Sequence, residues 1–291
     1  MTEGQIEGDL HARLQRLLGR AIERCVPVVG GGYTPTDRWI VYSGTDSFFA
    51  KVATTPLTAV MLQRELHAYQ NVQAPFMPAY IAGEDDESAP ILLTEDLSGY
   101  RWPPPWKRGD VDKVLTQIEA MHGYAADVPT SAEIRGSEDG GWAMVAADPH
   151  PFLSLGMAAE AWLERALPDL LEAEADCSTV GSALCHWDIR SDNLCLSDAG
   201  AVLVDWAEAC LSNPQLDLGF WLPSLASEGG PLPEDILPDA PAVAAWVCGY
   251  FAARAGLPQI PDAPRVRWVQ RRQFETALPW AARAVGLPLP S

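Results

Sequence analysis

Leu184-Cys185-His186-Trp187-Asp188-Ile189-Arg190-Ser191-Asp192-Asn193 is the stretch from which the rest of the chain can be read. It holds the pattern His-x-Asp-x-x-x-x-Asn, and a further aspartate, Asp205, follows in Val202-Leu203-Val204-Asp205-Trp206. Two short apolar runs, residues 193–196 and 202–204, are joined by Asp198-Ala199-Gly200, which is a β-hairpin signal. A carboxylate, a carboxamide and a second carboxylate around a hairpin have the donor chemistry of phosphoryl transfer. One carboxylate accepts the proton of an attacking hydroxyl, while an amide oxygen and the other carboxylate are hard ligands suited to Mg²⁺. Any one of His186, Asp188 and Asp192 alone would read as a turn cap; the set, with its flanking β runs, reads as a site.

Upstream the hydrophobic period changes from helical to strand-like. Leu10, Leu14, Leu17 and Leu18 form one helical stripe, predicting a helix to about Glu23. Residues 26–29, 38–42 and 47–53 then read as strands of an antiparallel meander, with Gly30-Gly31-Gly32 and Ser43-Gly44-Thr45-Asp46 as turns. Pro56 opens a helix on which Leu62, Glu65, Leu66 and Tyr69 share a face, and residues 77–82 and 91–94 read as two more strands. Glu84-Asp85-Asp86-Glu87 between them reads as a solvated loop tip. The stiff Arg101-Trp102-Pro103-Pro104-Pro105-Trp106 segment marks a boundary near Leu97, giving units 1–97 and 98–291. Beyond it, helices are expected around residues 111–118, 158–171, 217–225, 240–253 and 265–284.

Strand alternation puts Lys51 on the same face as Phe49 and Ala53, and Glu65 lies on the apolar face of the following helix. A buried cation and a buried carboxylate each need a partner, so a Lys51–Glu65 pair removes both costs and leaves the amine aimed at phosphate. The bland alternative has Lys51 reaching solvent and Glu65 at the edge of its stripe.

With these residues in place, the chain resembles the aminoglycoside phosphotransferase family, small-molecule kinases built on the protein-kinase-like fold. The resemblance runs over nearly the whole chain. It rests on the His186–Asn193 loop, Asp205-Trp206-Ala207, the hinge-like Leu92-Leu93-Thr94-Glu95-Asp96-Leu97, and Gly31-Gly32-Tyr33-Thr34, which is similar to the nucleotide loop of many bacterial members. It implies an α+β, bilobal architecture, with an antiparallel sheet plus helix in the N-terminal lobe and a mainly helical C-terminal lobe. It also implies Asp188 as catalytic base, Asn193 and Asp205 as Mg²⁺ ligands, Lys51 on the α and β phosphates, and Glu65 paired with Lys51. Gly31 and Gly32 would approach the phosphates, and the backbone near Glu95 and Leu97 would bond the base of ATP or GTP. Asp217 would brace the catalytic loop and His186 would serve as its internal scaffold. Arg190 either screens the transferring charge or pairs with an acid.

The departures narrow the function. Gly30-Gly31-Gly32-Tyr33-Thr34 is neither Gly-x-Gly-x-x-Gly nor a Walker loop, Ala207 replaces a glycine, and no Ala-Pro-Glu follows Asp205. A small hydroxylated acceptor is therefore expected rather than a protein, with a catalytically silent nucleotide-binding module as the alternative. The chain carries 20 basic against 39 acidic residues, a net −19, which disfavours nucleic acid as a partner. Of this, 13 basic and 26 acidic residues lie beyond Leu97, a field that would attract an aminoglycoside-like antibiotic or other cationic acceptor, although it serves solubility equally well. The alternative acceptor is a metabolite such as an amino sugar or a choline-like alcohol. Tryptophans, Trp187 above all, offer planes for stacking. The six cysteines read as small core residues. No membrane span or secretory signal is read, so a cytoplasmic monomer or homodimer is expected.

Overall fold

In the computed structural model, which describes residues 8–30, 32–135, 140–261 and 263–290, the chain begins with α1 (Gly8–Leu18) and β1 (Arg24–Pro27). β2 (Thr36–Ser43), β3 (Asp46–Ala53), α2 (Pro56–Asn71), β4 (Tyr80–Glu84) and β5 (Ile91–Glu95) follow. The five strands form one antiparallel sheet in the order β1-β2-β3-β5-β4. The α1 helix stops at Leu18, short of the expected Glu23, because Gly19 adopts φ +66°, the left-handed conformation that closes a helix. β4 starts at Tyr80 rather than Met77 and runs through Glu84, whose carboxylate is not a free loop tip but pairs with Arg13 at 2.7 Å.

Pleat alternation divides the sheet into two faces. Val41, Phe48, Ala50, Val52, Ile91 and Leu93 pack with Leu14 of α1 in a small core. The opposite face turns Arg38, Ile40, Phe49, Lys51, Leu92 and Thr94 toward a cleft. Thr55 and Thr58 cap the start of α2 reciprocally, with Pro56 in its first turn. The α2 face bearing Leu62, Glu65, Leu66 and Tyr69 is buried, and its apolar members belong to the large core of the rest of the chain.

That larger part contains α3 (Asp110–His122), α4 (Ser131–Arg135), α5 (Gly141–Ala147), α6 (His150–Ser154) and α7 (Glu160–Ala175). Then come β6 (Ala183–Cys185), β7 (Leu194–Leu196), β8 (Ala201–Leu203) and β9 (Cys210–Ser212), followed by α8 (Gln215–Ser227), α9 (Pro233–Ile236), α10 (Pro241–Arg254) and α11 (Val266–Val285). β7 and β8 form the expected hairpin, and β6 pairs with β9. The Pro-rich linker is anchored to the hairpin: Arg101 and Leu196 exchange backbone bonds of 3.0 and 2.8 Å. Five cysteines are buried, while Cys177 is only partly so. Among the described residues no helix is long and apolar enough to cross a membrane.

Candidate active site

The loop between β6 and β7 is held from below by one carboxylate. Asp217, fully buried in the first turn of α8, accepts the backbone N–H of His186 at 3.0 and 3.1 Å and that of Trp187 at 2.6 Å, and lies 3.0 Å from His122 Nε2. Those contacts hold Trp187 at φ +60°, a conformation a bulky side chain adopts only when its surroundings over-determine it. His186 is fully buried and accepts the Asp188 N–H through Nδ1 at 3.3 Å. Its Nε2 therefore carries the proton and donates to the Val204 carbonyl at 3.0 Å. Burial, working against nearby Asp217 and Asp205, lowers its pKa and keeps it neutral, so His186 is a strut between the loop and the β8 side.

The strut delivers Asp188 with both carboxylate oxygens engaged. Arg190 Nη1 contacts Oδ1, and Asn193 Nδ2 donates to Oδ2 at 2.9 Å and to the Asp188 carbonyl at 2.9 Å. Arg190 also grips Asp192 with two bonds, at 3.0 and 3.2 Å, and its guanidinium lies 5.1 Å from the ring centre of Tyr33 beside the glycine turn. Of the two sequence readings of Arg190, the structure shows pairing with acids, and with two of them. Its place within the loop was visible in sequence; the Tyr33 contact was not.

Lys51 lies between two carboxylates. Its Nζ is 2.6 Å from Glu65 Oε2 and 2.9 Å from Asp205 Oδ1. Burial opposes its charge, but Asp205 and Glu65 outweigh it and raise the lysine pKa. Burial likewise opposes ionisation of Asp205, yet Lys51 and Arg190 hold its carboxyl down to about 2. Glu65 goes the other way: burial and neighbouring Asp205 raise it despite Lys51. Asp205 itself has φ +68°, the left-handed conformation that aspartate tolerates better than most residues.

These groups face a cleft of about 580 Å³ lined by Gly30, Gly32, Lys51, Glu65, Thr94, Glu95, Leu97, Asn193 and Asp205, with Phe49, Leu92, Trp102 and Pro103 as apolar walls. Of the residues read from sequence, Gly32, Lys51, Glu65, Glu95, Leu97, Asn193 and Asp205 all border it; Gly31 lies outside the described residues. The Glu95 side chain is engaged, with its carboxylate accepting from Tyr100 Oη at 2.9 Å and from the Ala79 N–H at 3.2 Å. The donor set suits a hard cation: an ionised Asp205 and an Asn193 whose Nδ2 is spent on Asp188, leaving its amide oxygen.

Three acids around the catalytic loop are engaged. Asp192 pairs with Arg190, Glu208 with Arg135 at 2.8 Å, and Glu228 accepts from Ser191 at 2.5 Å and Trp106 at 2.9 Å. Trp187 is buried, its ring covered by Arg135 at 4.6 Å, so of its two readings, open stacking plane or core residue, the structure shows the core one. No feature of the sequence pattern around Arg135 signals that contact.

The model of the phosphotransferase enzyme family matches residues 26–257, spanning the sheet, the loop and most of the helical part. The chain belongs to that family. It is a small-molecule phosphotransferase. Among curated proteins, no sequence is significantly similar to it. Solved structures share the fold. Aminoglycoside phosphotransferase APH(4)-Ia aligns over 96% of this chain and 99% of its own, with a TM-score of 0.61 and 15% identity. Spectinomycin phosphotransferase APH(9)-Ia, in complex with ADP and spectinomycin, aligns over 94% of each chain, at 0.58 and 15%. Choline kinase LicA from Streptococcus pneumoniae aligns over 96% of this chain and 98% of its own, at 0.60 and 12%. The phosphotransferase thus has the bilobal protein-kinase-like fold, α+β, of these enzymes.

Proposed function

We propose that this phosphotransferase transfers the γ-phosphate of ATP or GTP, with Mg²⁺, to a hydroxyl group of a small molecule in the cytoplasm, acting as a monomer or homodimer. The observation that carries the reading is the Glu65–Lys51–Asp205 chain at 2.6 and 2.9 Å, facing the cleft that Asn193 also lines. A lysine held between two carboxylates keeps its charge and its direction, which a phosphate-binding amine requires. The nucleotide lies between units 1–97 and 98–291, its base against the backbone of Glu95 to Leu97 and its phosphates near Lys51, Gly31 and Gly32. Asn193 and Asp205 would hold Mg²⁺, which when bound offsets phosphate charge.

Asp188 orients the acceptor hydroxyl and takes its proton as the oxygen bonds to the γ-phosphorus and the bond to the departing nucleoside diphosphate breaks. Arg190 and Asn193 keep its two oxygens in place, and His186 and Asp217 fix the loop beneath. Asp188→Asn is expected to lower kcat by a factor of about 10² to 10⁴ while nucleotide affinity stays unchanged. The assay is diphosphate release against a panel of antibiotics, amino sugars, alcohols and hydroxy acids, with nucleotide binding followed by calorimetry. Retained turnover in the variant removes Asp188 as the base, and failure of the wild type to bind Mg²⁺-nucleotide removes the whole reading.

An aminoglycoside-like or other antibiotic, and a metabolite such as an amino sugar or a choline-like alcohol, are the acceptors first expected. The acidic charge that favoured a cationic acceptor is, at the loop itself, already matched by Arg190, Arg135 and hydrogen-bond donors.

A further inference from the structure

The cleft that faces Lys51 is short of free positive charge for an anionic nucleotide. Among the described residues, its lining carries five carboxylates, on Glu65, Glu95, Asp96, Asp192 and Asp205, against two cations, Lys51 and Arg38. Lys51 is already balanced by Glu65 at 2.6 Å and Asp205 at 2.9 Å. A nucleoside triphosphate stays anionic after one Mg²⁺ binds, so a second cation facing its phosphates is stabilising. Arg38 is half-buried, donates from Nη1 to the Thr36 carbonyl at 3.1 Å, and pairs with no carboxylate among the described residues.

Strand register fixes where along the cleft Arg38 sits. β3 pairs with β5 so that Phe48 lies opposite Glu95, at the end where the chain crosses between the two units, and Lys51 lies opposite Leu92, away from it. β2 sets Ile40 opposite Phe49 and Arg38 opposite Lys51, and all four residues line the cleft. Two cations opposite one another on one face of a sheet repel, and an anion bound between them reverses that cost. The glycine turn places the guanidinium: it lies against Gly32, at φ +69°, in the space that a Cβ on that residue would occupy. The next residue, Tyr33, has its ring centre 5.1 Å from the Arg190 guanidinium, and Arg190 Nη1 contacts Asp188. Arg38 thus sits toward the catalytic aspartate, at the end of the cleft opposite Glu95 and Leu97.

We propose that Arg38 binds the terminal phosphate of the nucleotide, beside Lys51 on the inner phosphates, and so makes the cleft prefer a triphosphate to a diphosphate. A guanidinium presents a fork of N–H donors to phosphate oxygens, and only Nη1 of Arg38 is engaged within the described residues. The turn Gly30-Gly31-Gly32-Tyr33-Thr34 lacks the Gly-x-Gly-x-x-Gly pattern that covers phosphates with backbone, and a side-chain cation at its edge supplies donors in that place. The proposal deepens the phosphotransferase reading and rests on it for the nucleotide and for the role of Lys51.

Calorimetry on the whole chain, with Mg²⁺ present, tests it. A non-hydrolysable triphosphate, the diphosphate and the free nucleoside, in both the adenine and the guanine series, are titrated into the wild type, Arg38→Gln and Arg38→Lys. Circular dichroism checks that each variant is folded. Arg38→Gln is expected to weaken the triphosphate by about tenfold or more and the diphosphate by less than about threefold, and to leave the nucleoside unchanged. Arg38→Lys should recover part of the loss, because it keeps the charge without the fork. Should Arg38→Gln not fold, Arg38→Met, which keeps the apolar stem, is read by the same ratio. An unchanged ratio of triphosphate to diphosphate affinity overturns the proposal, whether no ligand weakens or all weaken together, as a purely structural role in β2 would produce. Failure of the wild type to bind any of these nucleotides removes the phosphotransferase reading and this one with it, whereas wild-type binding with an unchanged ratio in the variants removes the Arg38 assignment alone.

Discussion

Lys51 Nζ and Asp205 Oδ1 are 2.9 Å apart across 154 positions of sequence, which joins the sheet to the segment just after the β7–β8 hairpin through one part-buried ion pair. The second partner, Glu65 at 2.6 Å, has a side chain only 4% exposed. The three charges therefore depend on one another, since none is well solvated without its neighbours.

Replacing the cation is the first test of that dependence. Lys51→Met leaves the buried Glu65 carboxylate and the partly exposed Asp205 without their shared cation, and is expected to cost about 3 to 5 kcal/mol of stability. Adding Glu65→Leu should restore part of the loss, so the double variant will be less damaged than the sum of its parts. Urea denaturation measures both, and strict additivity would show that the pair is not coupled.

Asp217 offers a test of the catalytic loop. Asp217→Ala strands the buried N–H groups of His186 and Trp187, at about 1 to 3 kcal/mol each. At temperatures where the variant remains folded, kcat is expected to fall while nucleotide affinity changes little, because Lys51 and Glu65 are anchored elsewhere. A parallel loss of nucleotide affinity would mean that the loop and the cleft are not separable in this way.

Glu174 makes stability depend on pH. Burial, only partly offset by N–H groups of Gly141, Trp142 and Ala143, raises its pKa from 4.5 to about 7. The unfolded chain therefore releases this proton at lower pH than the folded one, and stability falls as pH rises from 4.5 to 7, by about 3 kcal/mol in full. Glu174→Gln should flatten that slope in thermal melts recorded across the window. An unchanged slope would assign it to other groups.

His186 acts in the opposite sense. Its folded pKa is lowered from 6.5 by burial, so its contribution is complete above pH 6.5 and is lost as pH falls further and the unfolded chain takes up the proton. Proton NMR of the five histidine rings should show one that stays neutral through pH 6.5. If the His186 ring titrates there normally, it is not the neutral strut between Asp188 and Val204.

The local elements were legible wherever their signals were local. Thr55-Pro56 and the Leu62, Leu66, Tyr69 spacing identified α2, and Asp198-Ala199-Gly200 between apolar runs identified the β7–β8 hairpin. Burial arithmetic on Lys51 and Glu65 anticipated their bond before any coordinates, because two buried opposite charges have few other solutions. Where a local feature fell against the pattern, the reading slipped: Gly19 ended α1 early, and Arg13 drew Glu84 into a strand edge.

What the sequence by itself determined is therefore the set of parts: period-2 runs for the sheet, period-3.6 runs for the helices, and a loop whose residue types suit phosphoryl transfer. What only the tertiary structure decided is which charges meet. Arg190 lying against Tyr33, Arg135 on Trp187, and Lys51 meeting Asp205 join segments with no common period. Periodicity reports which face of an element is buried. The partner a long, flexible side chain finds depends on how whole elements pack, and that information is spread over the entire chain.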